Sequence, residues 1–124
     1  MENITISPTK KSFGITCNGE KGIIDITGIS YPENAIEFFT PVLDWVKQFT
    51  ENNNMPLLLQ FKVNYYNTSS SKYLFKMLEI LEKYYNKGNK VEVKWYYCEG
   101  EEDMLESWKE MMEEFKLPYS IEMD

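Results

Sequence analysis

The chain's 124 residues are enough for one domain around a single core, residues 1–124, and too few for two. Hydrophobic residues make up 43% and aromatic residues 15%, ample material for that core. The formal charge of −7 argues against nucleic acid and against an anionic membrane surface, both of which call for a clustered basic face.

Histidine is absent, which removes Ser-His and Cys-His catalysis, imidazole metal ligands and histidine phosphorelay. No apolar stretch approaches the length of a membrane span, and Met1-Glu2-Asn3 opens nothing like a signal peptide, so a cytoplasmic protein is the expectation. Cys17 and Cys98 form no C-x-x-C pair. Both read as small buried side chains, with no metal or cofactor indicated.

In chain order, Asn3 to Ser7 alternates through Ile4 and Ile6, and Phe13, Ile15 and Cys17 alternate again. Asn18-Gly19-Glu20-Lys21-Gly22 supplies a hairpin turn into a short strand, Ile23 to Thr27. Gly28 to Pro32 reads as a loop. A helix is predicted from about Glu33 to Asn53, with Ile36, Phe39, Val42, Leu43, Val46 and Phe49 on its apolar stripe. Pro41 sits awkwardly inside it, and the expectation is a Thr40 cap with Pro41 at the first helical position, or a kink.

Leu57 to Tyr66 is a long strand with Leu57, Leu59, Phe61, Val63 and Tyr65 on one face. Leu74, Met77, Leu78, Leu81 and Tyr85 then recur at helical spacing until Gly88 stops them. Val91, Val93, Trp95 and Tyr97 alternate as a strand. Glu102 to Phe115 is a third helix, with Met104, Trp108, Met111, Met112 and Phe115 inward, and Tyr119 to Met123 a last strand. The fold class is α/β: a mixed sheet with an amino-terminal antiparallel hairpin, parallel pairing further on, and helices packed on it.

Parallel strands carry their strand-to-helix loops to one edge, where open α/β sheets place their sites. Three segments share it: Gly28 to Asn34 with the exposed Tyr31-Pro32-Glu33, Tyr66 to Ser71, and Cys98 to Asp103 with Glu99, Glu101, Glu102 and Asp103. Carboxylates before a helix complement its positive end, and no EF-hand spacing or phosphate loop is present. The second segment is the more informative. Asn67-Thr68-Ser69-Ser70-Ser71-Lys72 offers more hydroxyls than a helix cap needs. Capping alone is one reading. A phosphorylation site is the other, because a helix start holds a phosphate through its free N–H groups and dipole, with Lys72 adding charge.

"GISYPENA", "FFTPVLDWV", "YYNTSSSK" and "VKWYYCEGEEDMLE" together resemble the SiaC family of bacterial regulatory phosphoproteins over nearly the whole chain. The resemblance implies a fold like the STAS domains of anti-sigma-factor antagonists and a phosphoacceptor at Thr68, with Asn67, Ser69, Ser70, Ser71 and Lys72 around it. It implies a dedicated Ser/Thr kinase with a histidine-kinase-like ATP fold, an opposing PP2C-type phosphatase, and an output through a diguanylate cyclase, hence cyclic di-GMP and biofilm control. The expected function is a non-enzymatic switch that binds its signalling partner when unphosphorylated, through Tyr31, Pro32, Glu33, Glu101, Glu102 and Asp103. An anti-sigma-factor antagonist is the alternative, and a small anion-binding protein or enzyme a third reading. Glu106-Ser107-Trp108-Lys109 departs from the family's more acidic, glycine-containing stretch.

Overall fold

In the computed structural model, which describes residues 2–100 and 102–124, the elements run β1 (Ile4–Ile6), β2 (Gly14–Asn18), β3 (Ile23–Ser30), α1 (Ala35–Asn52), β4 (Leu57–Tyr66), α2 (Thr68–Asn86), β5 (Val91–Tyr97), α3 (Glu102–Glu113) and β6 (Tyr119–Met123). Glu101, one of the candidate acidic residues, lies outside the described residues. The strands form one six-stranded sheet in the order β1-β2-β3-β4-β5-β6. Pairing is antiparallel from β1 to β3 and parallel from β3 to β6, the mixed sheet that the pattern predicts.

Each parallel strand lies one step further in the same direction, so right-handed crossovers carry α1, α2 and α3 onto the same face. The burial pattern agrees. Ile24, Ile26, Leu57, Leu59, Phe61, Val63, Val91, Val93 and Trp95 join the helices in one core, while Asp25, Gln60, Lys62, Glu92 and Lys94 alternate with them toward solvent. Stacked rings tie the layers together: Phe61 lies 3.8 Å from Trp95, and Trp95 lies 4.8 Å from Trp108 of α3.

The structure corrects several sequence expectations. Strand β3 does not stop at Thr27. It continues through Gly28, at φ 94°, to Ser30, because a bulge lets the ladder resume. There Val63 pairs with Gly28 and Tyr65 with Ile29, so β4 inserts one extra residue, Asn64, opposite β3 and its alternation inverts. Tyr66 is therefore buried, and Tyr65, expected inside, is exposed.

Asn34, not Thr40, caps α1: its side chain accepts from the Glu37 N–H at 3.0 Å, and the Glu37 carboxylate accepts from Asn34 Nδ2 at 3.3 Å. The helix runs through Pro41, and Thr40 instead donates its hydroxyl to the Ile36 carbonyl at 2.6 Å. Ile36 is 65% exposed, and Trp45 takes the core place that it was expected to share. In α2 the buried tyrosines are Tyr73 and Tyr84, while Tyr85 is only partly buried against the core, and Gly88 ends the helix at φ 101°. Cys17 is buried as expected, whereas Cys98 is exposed because it follows the last residue of β5.

Candidate functional site

The junction of β4 and α2 sorts the hydroxyl run residue by residue. Asn67 is the N-cap, its side chain accepting from the Ser70 N–H at 2.9 Å, as Asn at a strand-to-helix turn is suited to do. Ser70 is completely buried, and its hydroxyl lies 2.7 Å from that of Ser30, also completely buried. The neighbouring Asn67 N–H donates to the Ser30 carbonyl at 3.0 Å. These contacts fix the start of α2 to the end of β3. Ser71 turns back and donates to the Thr68 carbonyl at 2.8 Å.

Two hydroxyls remain. Thr68 and Ser69 are exposed in the first turn of α2, and among the described residues neither side chain has a hydrogen-bond partner. Ser70 is thereby removed from the candidate acceptors, since a kinase would have to unpack it. Lys72 lies one turn beyond Thr68, with its ammonium 5.9 Å from the centre of the Tyr73 ring.

Ser30 carries the chain directly into the second candidate segment. The Tyr31 N–H donates to the Lys11 carbonyl at 2.7 Å, which holds the backbone while the ring stays 43% exposed. Pro32 is half-buried, and Glu33 pairs with Lys11 at 3.5 Å, an exposed pair worth at most about 1 kcal/mol. Tyr65, at the end of β4, is 47% exposed, and Ile36 stands in the first turn of α1. Tyr31, Tyr65 and Ile36 thus all lie where the parallel strands end, as Thr68 does.

Sequence patterning missed Ile36 and Tyr65 as members of this edge, and it placed Ser30 there as a loop residue rather than as the buried end of β3. Gly28 inside an alternating strand was the available signal for the bulge, and Asn34-x-x-Glu37 the signal for a helix that begins just before Ile36. The third segment is less closely joined. Glu99 is exposed, and Glu102 and Asp103 occupy the first turn of α3, where their carboxylates complement the helix's positive end. No hydrogen bond or ion pair links them to the hydroxyl run among the described residues.

Among the described residues no cluster of potential metal ligands occurs, and no helix is long and apolar enough to cross a membrane. The family model for SiaC family regulatory phosphoproteins matches residues 6–123. An uncharacterized protein of Pseudomonas aeruginosa strain UCBPP-PA14 is 33% identical over 122 residues, covering 98% of this chain and 97% of its own. The solved structure of SiaC of Pseudomonas aeruginosa is 31% identical and superposes with a TM-score of 0.93 over the full length of both chains. A chain in the crystal structure of the diguanylate cyclase SiaD in complex with its activator SiaC, from the same organism, is 32% identical. It reaches a TM-score of 0.94 over 98% of this chain and 99% of that one. A match along nearly the whole length, in sequence and in fold, leaves one conclusion: this chain belongs to the SiaC family of regulatory phosphoproteins.

Proposed function

We propose that this protein is a non-enzymatic switch, reversibly phosphorylated on Thr68, whose unphosphorylated form binds and activates a diguanylate cyclase. The Ser/Thr kinase would carry a histidine-kinase-like ATP fold and the opposing phosphatase would be of the PP2C type. The observation that carries the reading is the division of labour in the hydroxyl run: Ser70 and Ser71 are committed to the fold, Thr68 and Ser69 stand free at the helix start, and of these two Thr68 is the acceptor that the family resemblance implies. The Pseudomonas aeruginosa SiaC, described as the activator of SiaD, supports the choice of partner.

The physics sets the sign. A phosphate adds about −1.5 to −2 charges at neutral pH. The helix dipole and Lys72, at i+4, hold that charge locally, so the fold tolerates it. A partner seated on Tyr31, Tyr65 and Ile36 meets instead new bulk and an unpaired charge at its rim, each costing on the order of 1 kcal/mol or more.

Mass mapping after kinase treatment is expected to find the phosphate on Thr68. Calorimetric titration of the cyclase is expected to give tight binding by wild type and Thr68→Ala, weakened about tenfold or more by phosphorylation or Thr68→Glu. Modification of Ser69 alone would move the acceptor. Tighter binding by the phosphoprotein would reverse the switch.

A further inference from the structure

Behind the hydroxyl run, a groove of about 480 Å³ opens between α2 and α3. Tyr66 forms part of its lining. The residue is only 9% exposed, and its hydroxyl has no hydrogen-bond partner among the described residues. Burial pushes the phenol up to about 12. Ser107 lies near enough to oppose that rise without reaching hydrogen-bond geometry, and the Glu110 carboxylate adds to it. An unmet buried hydroxyl is costly, and this one lies beside two groups that also line the groove.

The remaining lining says what would satisfy it. Glu79 of α2 and Glu110 of α3 are exposed carboxylates on opposite walls, and neither forms an ion pair among the described residues. Phe75 and Met111 supply apolar surface between them. Lys72 and Lys76 also border the groove, but their ammonium groups sit over the Tyr73 ring, at 5.9 and 5.2 Å. A neutral ligand would leave two carboxylates unanswered, and an anion would be repelled by both.

We propose that this groove receives an arginine side chain presented by a partner protein. A guanidinium brings five donors in one plane, suited to two carboxylates and the phenol and Ser107 oxygens, and its flat face and alkyl stem suit Phe75 and Met111. The chain's net charge of −7 draws in a basic partner segment. The site stands apart from the question of which hydroxyl is phosphorylated.

The test is a titration of the isotope-labelled full chain with N-acetyl-arginine amide and with the citrulline counterpart, its uncharged near-isostere, followed by amide NMR shifts at low salt. The arginine probe is expected to shift Phe75, Ser107, Glu110 and Met111, to weaken with added salt, and to lose about fivefold in affinity in Glu79→Gln or Glu110→Gln. Tyr66→Phe is expected to weaken the probe while the thermal midpoint stays level or rises, since that variant removes an unmet hydroxyl. Equal shifts from the citrulline probe, or shifts centred on Glu99, Glu102 and Asp103, would overturn the proposal. Tighter binding of free arginine than of the blocked amide would also overturn it, making the groove a small-molecule site.

Discussion

The pair of buried serines shows how much a single hydroxyl decides at the junction of β3 and α2. Ser30 and Ser70 answer each other inside the protein, and removing Ser70 strands the Ser30 hydroxyl, whereas the Ser70 hydroxyl also has the Ser30 carbonyl at 3.3 Å. Ser70→Ala is expected to lower stability by about 1–3 kcal/mol in denaturant melts. The double variant Ser30→Ala/Ser70→Ala should recover part of that loss, because no orphaned hydroxyl remains. Asn67→Ala removes the cap that accepts from Ser70 and is expected to cost about 0.5–2 kcal/mol. Thr68→Ala touches none of these contacts, so its thermal midpoint should match wild type. Its effect on partner binding is then readable without a folding correction.

At the scale of elements, α1 and α3 depart most from the average. Helix α1 carries Pro41 in its second turn, which removes the N–H that would meet the Glu37 carbonyl. Since the residue is exposed and the position is not a cap, Pro41→Ala is expected to raise the thermal midpoint, the helical preference for Ala over Pro being about 3 kcal/mol. An unchanged or lower midpoint would mean that proline's restriction of the unfolded chain outweighs the lost bond. Helix α3 buries completely only Trp108 and Met112, and Trp108 stacks on Trp95 of β5. Trp108→Ala is therefore expected to cost about 3–5 kcal/mol and to loosen α3 first, which hydrogen exchange at its amides would detect. On the opposite side of the junction, Tyr31→Ala and Ile36→Ala remove exposed surface and should leave stability within about 0.5 kcal/mol while weakening partner capture.

The whole molecule is two layers, helices over one face of a sheet whose other face stays wet, and its single core makes buried titrating groups sensitive to pH. Burial pushes the Cys17 thiol up to about 12, with the Asp25 carboxylate adding to the rise, and Tyr66 moves to about 12 as well. Both groups hold their protons more tightly folded than unfolded. Their contribution is complete below pH 9 and is lost as pH rises from about 9 toward 12. Melts are expected to show falling stability over that window, with a shallower fall in Cys17→Ala. A thiol reagent at neutral pH should modify the exposed Cys98 and spare Cys17 until the protein unfolds.

By itself the sequence determined the order of the elements, the mixed pairing of the sheet and the family, because these follow from periodicities of two and 3.6, from turn residues, and from a motif as specific as Asn67 to Lys72. It placed three candidate segments on one edge, since parallel strands leave little choice. It could not say which hydroxyl in that motif is free. Periodicity assigns residues to faces only while the register is unbroken, and one bulge beside Gly28 exchanged Tyr65 for Tyr66. Ser70 is sealed by Ser30, forty residues away in sequence, so its burial is a long-range fact that no local pattern records. The groove beneath Lys72 has the same origin: it exists because α2 and α3 both pack on β5, and only that packing brings Glu79, Glu110 and Tyr66 to one groove.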